Sequence, residues 1–354
     1  MPESAYYARK EDGIEISRLL ESPVDAGLIQ AIYTRRPDAY ESYMKEFGES
    51  RVFVFRNGSR IIGTCSQIIR DVYVDGKVKR SAYICGLKKD SDYNGPLNAG
   101  LSFFRTFMRP DIDFYYCAVV SNNNDAMTKF EKKRSFMSVK CITTYDTYFV
   151  DPKVKTKETK NNLTFRQASM EDTAAILDFL NAEGRKKDLF PVIQSLDGFY
   201  NLHIEDFYIL EDDHEIKACA ALWNTTSYKQ LTITKFKGIM KLVRLFNPVL
   251  SLLSFPTLKK ENESYDYPIL SFFLSKDDNK DYYEIFFHRI KKEIQKNYRV
   301  FAVGLTRNHP IAPIMKNLPK ITGESTIYEV EFLGQKEEPI SFDTEHIATE
   351  FALL

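Results

Sequence analysis

The amino-acid sequence runs through one order of predicted elements twice. Each half opens with a short strand and an amphipathic helix, then has a hairpin, two strand–helix units and a closing strand. Apolar residues recur at helical spacing in both opening helices, at Ile14, Ile16, Leu19 and Leu20 and at Ala174, Ile176, Leu177 and Leu180. Strands interleaved with helices in this order predict an α/β protein of two tandem domains, each with a mixed central sheet flanked by helices.

A polar, lysine-rich stretch separates the two repeats. Residues 151–162 read DPKVKTKETKNN, which has no apolar periodicity, so we expect it to contribute nothing to a core. The predicted divisions are a first domain at 1–150, a linker at 151–163, a second domain at 164–334 with an insertion at 228–267, and a C-terminal tail at 335–354.

Each half has one sequence pattern typical of a β-hairpin. In the first half the turn falls at Asn57-Gly58, where we expect both residues to adopt the positive φ angles of a tight turn. In the second half the turn falls between Asp212 and Glu215. Both hairpins lead towards a further strand, so the two halves are predicted to build their sheets in the same way.

Charge and hydropathy exclude several classes of protein. The 49 Lys and Arg residues balance 49 Asp and Glu residues, which argues against a broadly basic nucleic-acid-binding surface. The N-terminus has no apolar run behind a basic start, and no stretch reaches the roughly 18 apolar residues of a membrane span. We therefore expect a cytoplasmic protein with no nucleic-acid partner and no stable membrane span.

The cysteines are too dispersed to form a framework. Metal sites and disulfide networks need clustered ligands, so we predict neither a metal cofactor nor disulfides. The five cysteines are Cys65, Cys85, Cys117, Cys141 and Cys219.

The segment Gly86 to Phe104, GLKKDSDYNGPLNAGLSFF, resembles the strand, phosphate-binding turn and helix of the GNAT acyltransferase superfamily. The whole chain is similar to the tandem GNAT proteins of an uncharacterised bacterial subgroup. The turn differs from the family pattern at two positions, with Asn94 in place of an Arg or Gln and Leu97 in place of a glycine. The resemblance implies an acyl-CoA site formed by Leu87, Lys88 and Lys89 on the strand and by Asn94, Gly95, Pro96, Leu97, Asn98, Ala99 and Gly100 in the turn.

A second segment, SNNNDAMTKFEKKRSFMSV, resembles the family's asparagine-led helix. The resemblance implies that Asn123 contacts CoA. The family places a tyrosine acid on this helix, whereas the sequence has Phe130, which has no proton to give. Three alternatives remain: another group protonates the departing thiolate, solvent does, or this half does not catalyse.

The second half keeps the order of elements without the phosphate-binding chemistry. The corresponding loop, KDDNKDYY, has no glycine and three acidic residues, which oppose pyrophosphate binding. We predict that its CoA site is degenerate. Trp223 and Lys229 lie in a segment that resembles a region of the bacterial tandem GNAT proteins. They are candidates for a substrate pocket, although a core tryptophan and an exposed lysine are the ordinary alternatives.

The insertion over 228–267 mixes basic and strongly apolar residues. Three interpretations stand side by side. It packs between the domains, it covers an acyl or amphipathic acceptor pocket, or it makes a weak interfacial contact with a membrane.

The resemblance implies an acyl-CoA-dependent acyltransferase, with an N-acetyltransferase that uses acetyl-CoA and a small-molecule or peptide amine as the first hypothesis. A deprotonated amine would attack the thioester directly while strand amides polarise its carbonyl. Tyr83 and Cys85 alternate along the strand near the expected thioester and are the candidate catalytic residues. Two alternatives remain, a non-catalytic scaffold with a degenerate tandem fold and a long-chain N-acyltransferase.

Overall fold

The structure is a computed structural model that describes residues 5–21, 28–95, 97, 106–121, 137–156, 161–332 and 340–354. The predicted Asn98, Ala99, Gly100, Pro96 and Asn123 contacts to CoA lie outside these residues.

Fourteen strands are present in the described parts of the chain. They are β1 (Ala5–Tyr7), β2 (Ile29–Thr34), β3 (Glu49–Asn57), β4 (Arg60–Val74), β5 (Lys77–Lys89), β6 (Phe114–Val120), β7 (Met137–Val150), β8 (Thr164–Gln167), β9 (Phe207–Asp212), β10 (Glu215–Trp223), β11 (Gln230–Phe236), β12 (Ile269–Ser275), β13 (Phe301–Thr306) and β14 (Lys320–Phe332).

The helices flank these strands. Those described in full are α1 (Gly13–Leu20), α2 (Ala39–Tyr43), α3 (Thr173–Gly184), α4 (Ile239–Leu245), α5 (Asn247–Leu250), α6 (Lys280–Asn297) and α7 (Ala312–Asn317). Helix α6 begins after Asn279, whose side chain accepts hydrogen bonds from the backbone N–H groups of Asp281 and Tyr282.

Twelve of the strands form one mixed sheet in the order β1-β3-β4-β5-β6-β14-β7-β13-β12-β10-β9-β8. Neighbouring strands are antiparallel except for β5–β6 and β12–β13, which are parallel. The order is symmetric about its centre, because each half contributes the same series of strands from the outer edge inwards. The tandem α/β architecture predicted from the sequence is confirmed.

The last strand of each half is exchanged across the centre of the sheet. Strand β14 of the second half lies between β6 and β7, and β7 of the first half lies between β14 and β13. The β7–β14 pair runs from Met137 opposite Phe332 to Val150 opposite Lys320. The two halves therefore share a continuous hydrogen-bonded sheet instead of meeting only through side chains.

The hairpin turns follow local sequence chemistry. Asp213 and His214 both have positive φ angles (46° and 65°) in the second hairpin, as the predicted turn requires. In the first hairpin Gly58 has a φ of 64°, but Asn57 pairs with Arg60 and stays in β3. The expectation of a positive φ at Asn57 is wrong, because strand pairing extends one residue further than the sequence suggested.

A separate two-stranded sheet joins the insertion to the first half. Strand β11 pairs antiparallel with β2, from Gln230 opposite Thr34 to Phe236 opposite Ile29. Within the part of the chain that the structure describes, no helix has both the length and the apolar content to cross a bilayer.

Candidate functional site

Strands β5 and β6 part from each other halfway along their length. They pair in parallel from Ser81 opposite Phe114 to Ile84 opposite Cys117. Beyond this point β5 continues along β4 and β6 continues along β14. We call the resulting gap the first-half opening.

Gly86 forms the bend at which β5 leaves β6. The register of the β4–β5 pair shifts between Thr64 and Ser66, and Gly86 has a φ of 60°. A Cβ at this position would also overlap the hydroxyl group of Tyr43, which is buried. The backbone conformation at position 86 favours glycine, and the approach of Tyr43 leaves no room for a Cβ there.

The second half has the same bend at Phe272. The register of the β10–β12 pair shifts between Cys219 and Ala221, and Phe272 has a φ of 54°. Strand β12 pairs with β13 only at Ile269 opposite Ala302, so a second-half opening follows. A phenylalanine in this strained region is uncommon, which makes the bend a property of the architecture and not of glycine alone.

The C-terminal segment, residues 346–354, occupies the second-half opening. The Phe272 backbone N–H donates to Oε2 of Glu350 at 2.8 Å, and Thr306 Oγ1 donates to the Ile347 carbonyl at 3.3 Å. Burial raises the pKa of the Glu350 carboxyl to about 7, against the lowering effect of the hydrogen bond from Phe272. The residues predicted to form a tail thus include a segment built into the fold.

Internal ion pairs occupy the turn that precedes α6. Asp277 and Asp278 both have positive φ angles, and their carboxylates pair with Lys186 at 2.7 Å and Lys187 at 2.5 Å. Asp278 also accepts a hydrogen bond from the Tyr283 hydroxyl at 3.0 Å. This turn corresponds by position to the phosphate-binding turn implied for the first half, and it carries carboxylates where an anion would have to sit.

The first-half opening leads into an apolar cavity of about 370 Å³ between the two halves. Gly86 and Ala118 line it from the two parted strands, and Ile233 lines it from β11. Further walls come from Tyr145 on β7 and from Phe351 in the C-terminal segment. The cavity is therefore completed only when the strand exchange and the C-terminal segment are in place.

Buried charges stand on one side of this cavity. Arg35 and Lys229 line it, and behind them Glu46 binds Arg35 at 2.6 Å and lies 3.9 Å from the Lys229 ammonium group. All three side chains are less than a tenth exposed. Burial would raise the pKa of the Glu46 carboxyl, but Lys229 and Arg35 outweigh it and hold that pKa below its usual value. Glu46 is therefore an anion whose Oε2 lacks a hydrogen-bond partner among the described residues.

Lys229 also ties the C-terminal segment to the cavity. Its ammonium group donates to the carbonyl oxygen of Ala352 at 3.5 Å and to an oxygen of Leu354. Burial lowers the pKa of this ammonium group, and the nearby Glu46 opposes the effect. Lys229 therefore both holds the C-terminal segment and lines the cavity.

The two candidate catalytic residues, Tyr83 and Cys85, both line the cavity. Burial raises the pKa of the Cys85 thiol to about 11 and raises that of the Tyr83 hydroxyl well above its ordinary value. Both groups keep their protons at neutral pH. They can donate hydrogen bonds, but Cys85 is not a ready nucleophile.

The predicted cofactor residues on the strand lie just beyond the bend. Leu87 is exposed, burial lowers the pKa of Lys88, and the Lys89 ammonium group lies 5.5 Å from the centre of the Tyr93 ring. In the following turn, the side chain of Leu97 packs against Gly63. Asn94 and Gly95 are also described and follow Tyr93 directly.

Trp223 lies in the core. It stacks on Phe272 with a centroid separation of 6.1 Å, and its indole N–H donates to the Tyr200 carbonyl at 3.0 Å. It is absent from the described lining of the cavity, whereas Lys229 is part of it. The pair proposed from the sequence is therefore divided between the core and the cavity wall.

Three charged residues of the cavity and of the second-half opening were not found by sequence reasoning, namely Arg35, Glu46 and Glu350. Each is a charged residue in a stretch without a recognised motif. The only available signal was a charge beside apolar residues, which is common on ordinary surface helices. Within the described residues, no group of three His, Cys, Asp or Glu side chains is placed to hold a metal ion.

Known structures share the fold over most of the chain. N-Myristoyltransferase of Saccharomyces cerevisiae with bound myristoyl-CoA has 10% sequence identity and a TM-score of 0.58, and the match covers 99% of this chain and 90% of that one. A protein from Enterococcus faecalis described as a probable N-acyltransferase has 9% identity and a TM-score of 0.51, with 94% and 73% covered. No protein-family model and no curated protein matches the sequence. The chain has the fold of two tandem GNAT-like α/β halves.

Proposed function

We propose that this protein is an acyl-CoA-dependent N-acyltransferase whose active site is the first-half opening. The observation that carries the proposal is the parting of β5 and β6 at Gly86, which opens onto the apolar cavity. The GNAT resemblance implies the thioester at this place. The fold is also that of a protein that binds myristoyl-CoA, which supports an acyl-CoA as the co-substrate.

In the second half, the backbone N–H of the bend residue binds an oxygen atom. Its bend residue, Phe272, donates its backbone N–H to a carboxylate oxygen that lies in the second-half opening. The corresponding residue in the first half is Gly86, because both follow the same register shift and both have a positive φ. We assign the Gly86 N–H as the donor that polarises the thioester carbonyl.

The reaction is a direct transfer. The amine nitrogen attacks the thioester carbonyl carbon, the carbon–sulfur bond breaks, and the amine proton passes to solvent. The protonated Tyr83 hydroxyl and Cys85 thiol face the cavity and would stabilise the departing sulfur by hydrogen bonding. Lys229 on the same wall would contact the acceptor.

The volume of the cavity favours an acyl chain longer than acetyl. An apolar cavity of roughly 150 Å³ already accommodates benzene, which is larger than an acetyl group. The cavity here is about 370 Å³ and is lined mainly by apolar side chains. Acetyl transfer stays a prediction from the sequence, and we propose a longer chain as the preferred donor.

The CoA moiety would extend from the bend along Leu87, Lys88 and Lys89 into the turn from Asn94 to Gly100, with Asn123 as a further contact. The second half would not bind CoA, because its opening holds Glu350 and its turn holds Asp277 and Asp278. We therefore propose one acyl-CoA site per chain.

Calorimetric titration with acetyl-CoA, palmitoyl-CoA and free CoA tests the proposal. We expect one site per chain and tighter binding of palmitoyl-CoA than of acetyl-CoA. Ala118→Phe should fill the cavity and weaken palmitoyl-CoA binding while acetyl-CoA binding is retained. Ala174→Phe, on the exposed side of α3, is the matched control and should change neither.

Three results would contradict parts of the proposal. Two sites per chain would show that the second half binds CoA. If wild type and Ala118→Phe both bind palmitoyl-CoA and acetyl-CoA with equal affinity, the cavity does not hold the acyl chain. A folded protein that binds no acyl-CoA would favour the non-catalytic scaffold.

A further inference from the structure

A short stretch of the insertion holds a set of large apolar side chains in contact with solvent. It comprises α4, α5 and the 3₁₀ turn Ser251–Leu253. Seven of its side chains are each more than half exposed, and we call them the apolar face: Ile239, Leu242, Leu245, Phe246, Val249, Leu252 and Leu253. Single exposed apolar residues are ordinary on protein surfaces, but seven within 15 residues form a patch that needs a partner.

The stretch is anchored on its inner side, so the exposure of the apolar face is a built feature. Met240 and Val243 pack against the core of the second half. The buried Asn247 side chain donates to the Pro256 carbonyl at 2.9 Å and accepts from the Leu258 N–H at 2.9 Å. These contacts fix where the chain turns back, and the apolar face is left on the outside. Packing between the domains therefore explains only the inner residues of the insertion.

The charged residues within the stretch itself are all basic. No Asp or Glu occurs from Lys217 to Lys260. Six basic residues lie within or beside the stretch, at Lys235, Lys237, Lys241, Arg244, Lys259 and Lys260. Of these, Lys235, Lys241 and Lys260 are exposed, and Lys241 lies on α4 next to Leu242. The first acidic residue after the stretch, Glu261, accepts a hydrogen bond from the Phe236 N–H.

We propose that the apolar face docks onto the surface of an anionic lipid bilayer. Apolar side chains beside lysines on short helices suit the boundary between acyl chains and headgroups, where the lysines meet lipid phosphates and carboxylates. A second copy of the chain fits less well. A two-fold contact would bring the basic residues of both copies into one interface, and like charges across an interface oppose association.

Docking through the apolar face would bring the cavity close to the bilayer. Ile233, Pro256 and Thr257 line the cavity and belong to the same insertion as the apolar face. A long acyl chain or a lipid-like acceptor could then reach the cavity from the membrane. This consequence rests on the proposed function, whereas the binding of the protein to lipid does not.

Cosedimentation with vesicles tests the docking directly. Wild-type protein should bind vesicles of phosphatidylcholine and phosphatidylserine (7:3), bind pure phosphatidylcholine vesicles more weakly, and lose binding as salt is raised. The double variant Leu245→Asp/Leu252→Asp should bind the mixed vesicles at least about tenfold more weakly, because charge replaces apolar area at two exposed positions.

The matched control is Ile14→Asp/Met170→Asp. Both residues are exposed apolar side chains outside the insertion, at 57% and 71%, and the pair changes the net charge by the same amount. This variant should bind like wild type. Circular dichroism and thermal unfolding establish that both double variants are folded.

Three outcomes would overturn the proposal. Wild type binds neither kind of vesicle, or the two double variants bind equally. Alternatively, sedimentation without lipid shows a wild-type dimer that Leu245→Asp/Leu252→Asp converts to a monomer, which would make a second copy the partner. If wild type binds vesicles but no acyl-CoA, the proposed function is refuted and the docking proposal is not.

Discussion

Replacing Gly86 with alanine probes the bend on which the proposed acyl-CoA site depends. The substitution adds one methyl group at a position with a φ of 60°, and that methyl group overlaps the Tyr43 hydroxyl. Gly58, in the first hairpin turn, offers a matched comparison. It has a φ of 64°, and a Cβ there would meet nothing within 4 Å among the described atoms.

The two substitutions share one cost and differ in another. An L-residue in the left-handed region costs about 1–2 kcal/mol, so Gly58→Ala should lower the free energy of unfolding by about that amount. Gly86→Ala should lower the free energy of unfolding by the same amount for its backbone. Its methyl group must also displace Tyr43, whose ring lies 3.9 Å from the Arg35 guanidinium. Losing a desolvated cation–π contact adds about 2 kcal/mol. We therefore expect a total of about 3–4 kcal/mol for Gly86→Ala.

Urea unfolding gives the two free energies, and calorimetric titration gives the acyl-CoA affinity of each variant. Gly58→Ala should bind acyl-CoA like wild type, whereas Gly86→Ala should bind it at least about tenfold more weakly, since the N–H at the bend is redirected. The reasoning is refuted if the two variants lose equal stability and retain equal affinity. Equal affinity with unequal stability would keep the steric argument and remove the bend from the binding site.

Three further predictions follow from the buried charges and thiols. Burial raises the pKa of the Glu350 carboxyl from 4.5 to about 7, so the folded state holds this proton more tightly than the unfolded state does. The free energy of unfolding of wild type should therefore fall by about 3 kcal/mol as pH rises from about 4.5 to above 7. Glu350→Gln should lack this component in urea unfolding across that range, and an unchanged pH slope would contradict the burial argument. Lys229→Met should lower the free energy of unfolding by about 2 kcal/mol. A fully broken buried pair costs about 3–5 kcal/mol, but here Arg35 stays bound to Glu46. Lys77→Met, at an exposed position, should leave the free energy of unfolding unchanged. At pH 7.5 iodoacetamide should modify exposed Cys141 well before Cys85, whose pKa is raised to about 11 by burial, and peptide mass spectrometry showing the reverse order would count against a protonated Cys85.

Features set by short-range chemistry could be read from the sequence. The apolar spacing of Ala174, Ile176, Leu177 and Leu180 predicted a helix that the structure places at Thr173–Gly184, and the turn residues predicted both hairpins. The duplicated order of elements predicted the two α/β halves. Tyr83 and Cys85 were found because they alternate along the strand on which the GNAT resemblance implies the thioester, and the structure places both on the cavity wall.

Features that join distant parts of the chain depended on the tertiary structure. The exchange of β7 and β14, the hydrogen bond from Phe272 to Glu350, and the cluster of Arg35, Glu46 and Lys229 each connect residues far apart in sequence. The energies of such contacts come from sheet register and from burial, and neither is a property of a local stretch. The sequence by itself determined the elements and their repetition, because periodicity and turn preferences act over a few residues. Only the tertiary structure decided which opening is lined by a cavity and which is filled by the chain itself, because that outcome depends on which side chains exclude water together.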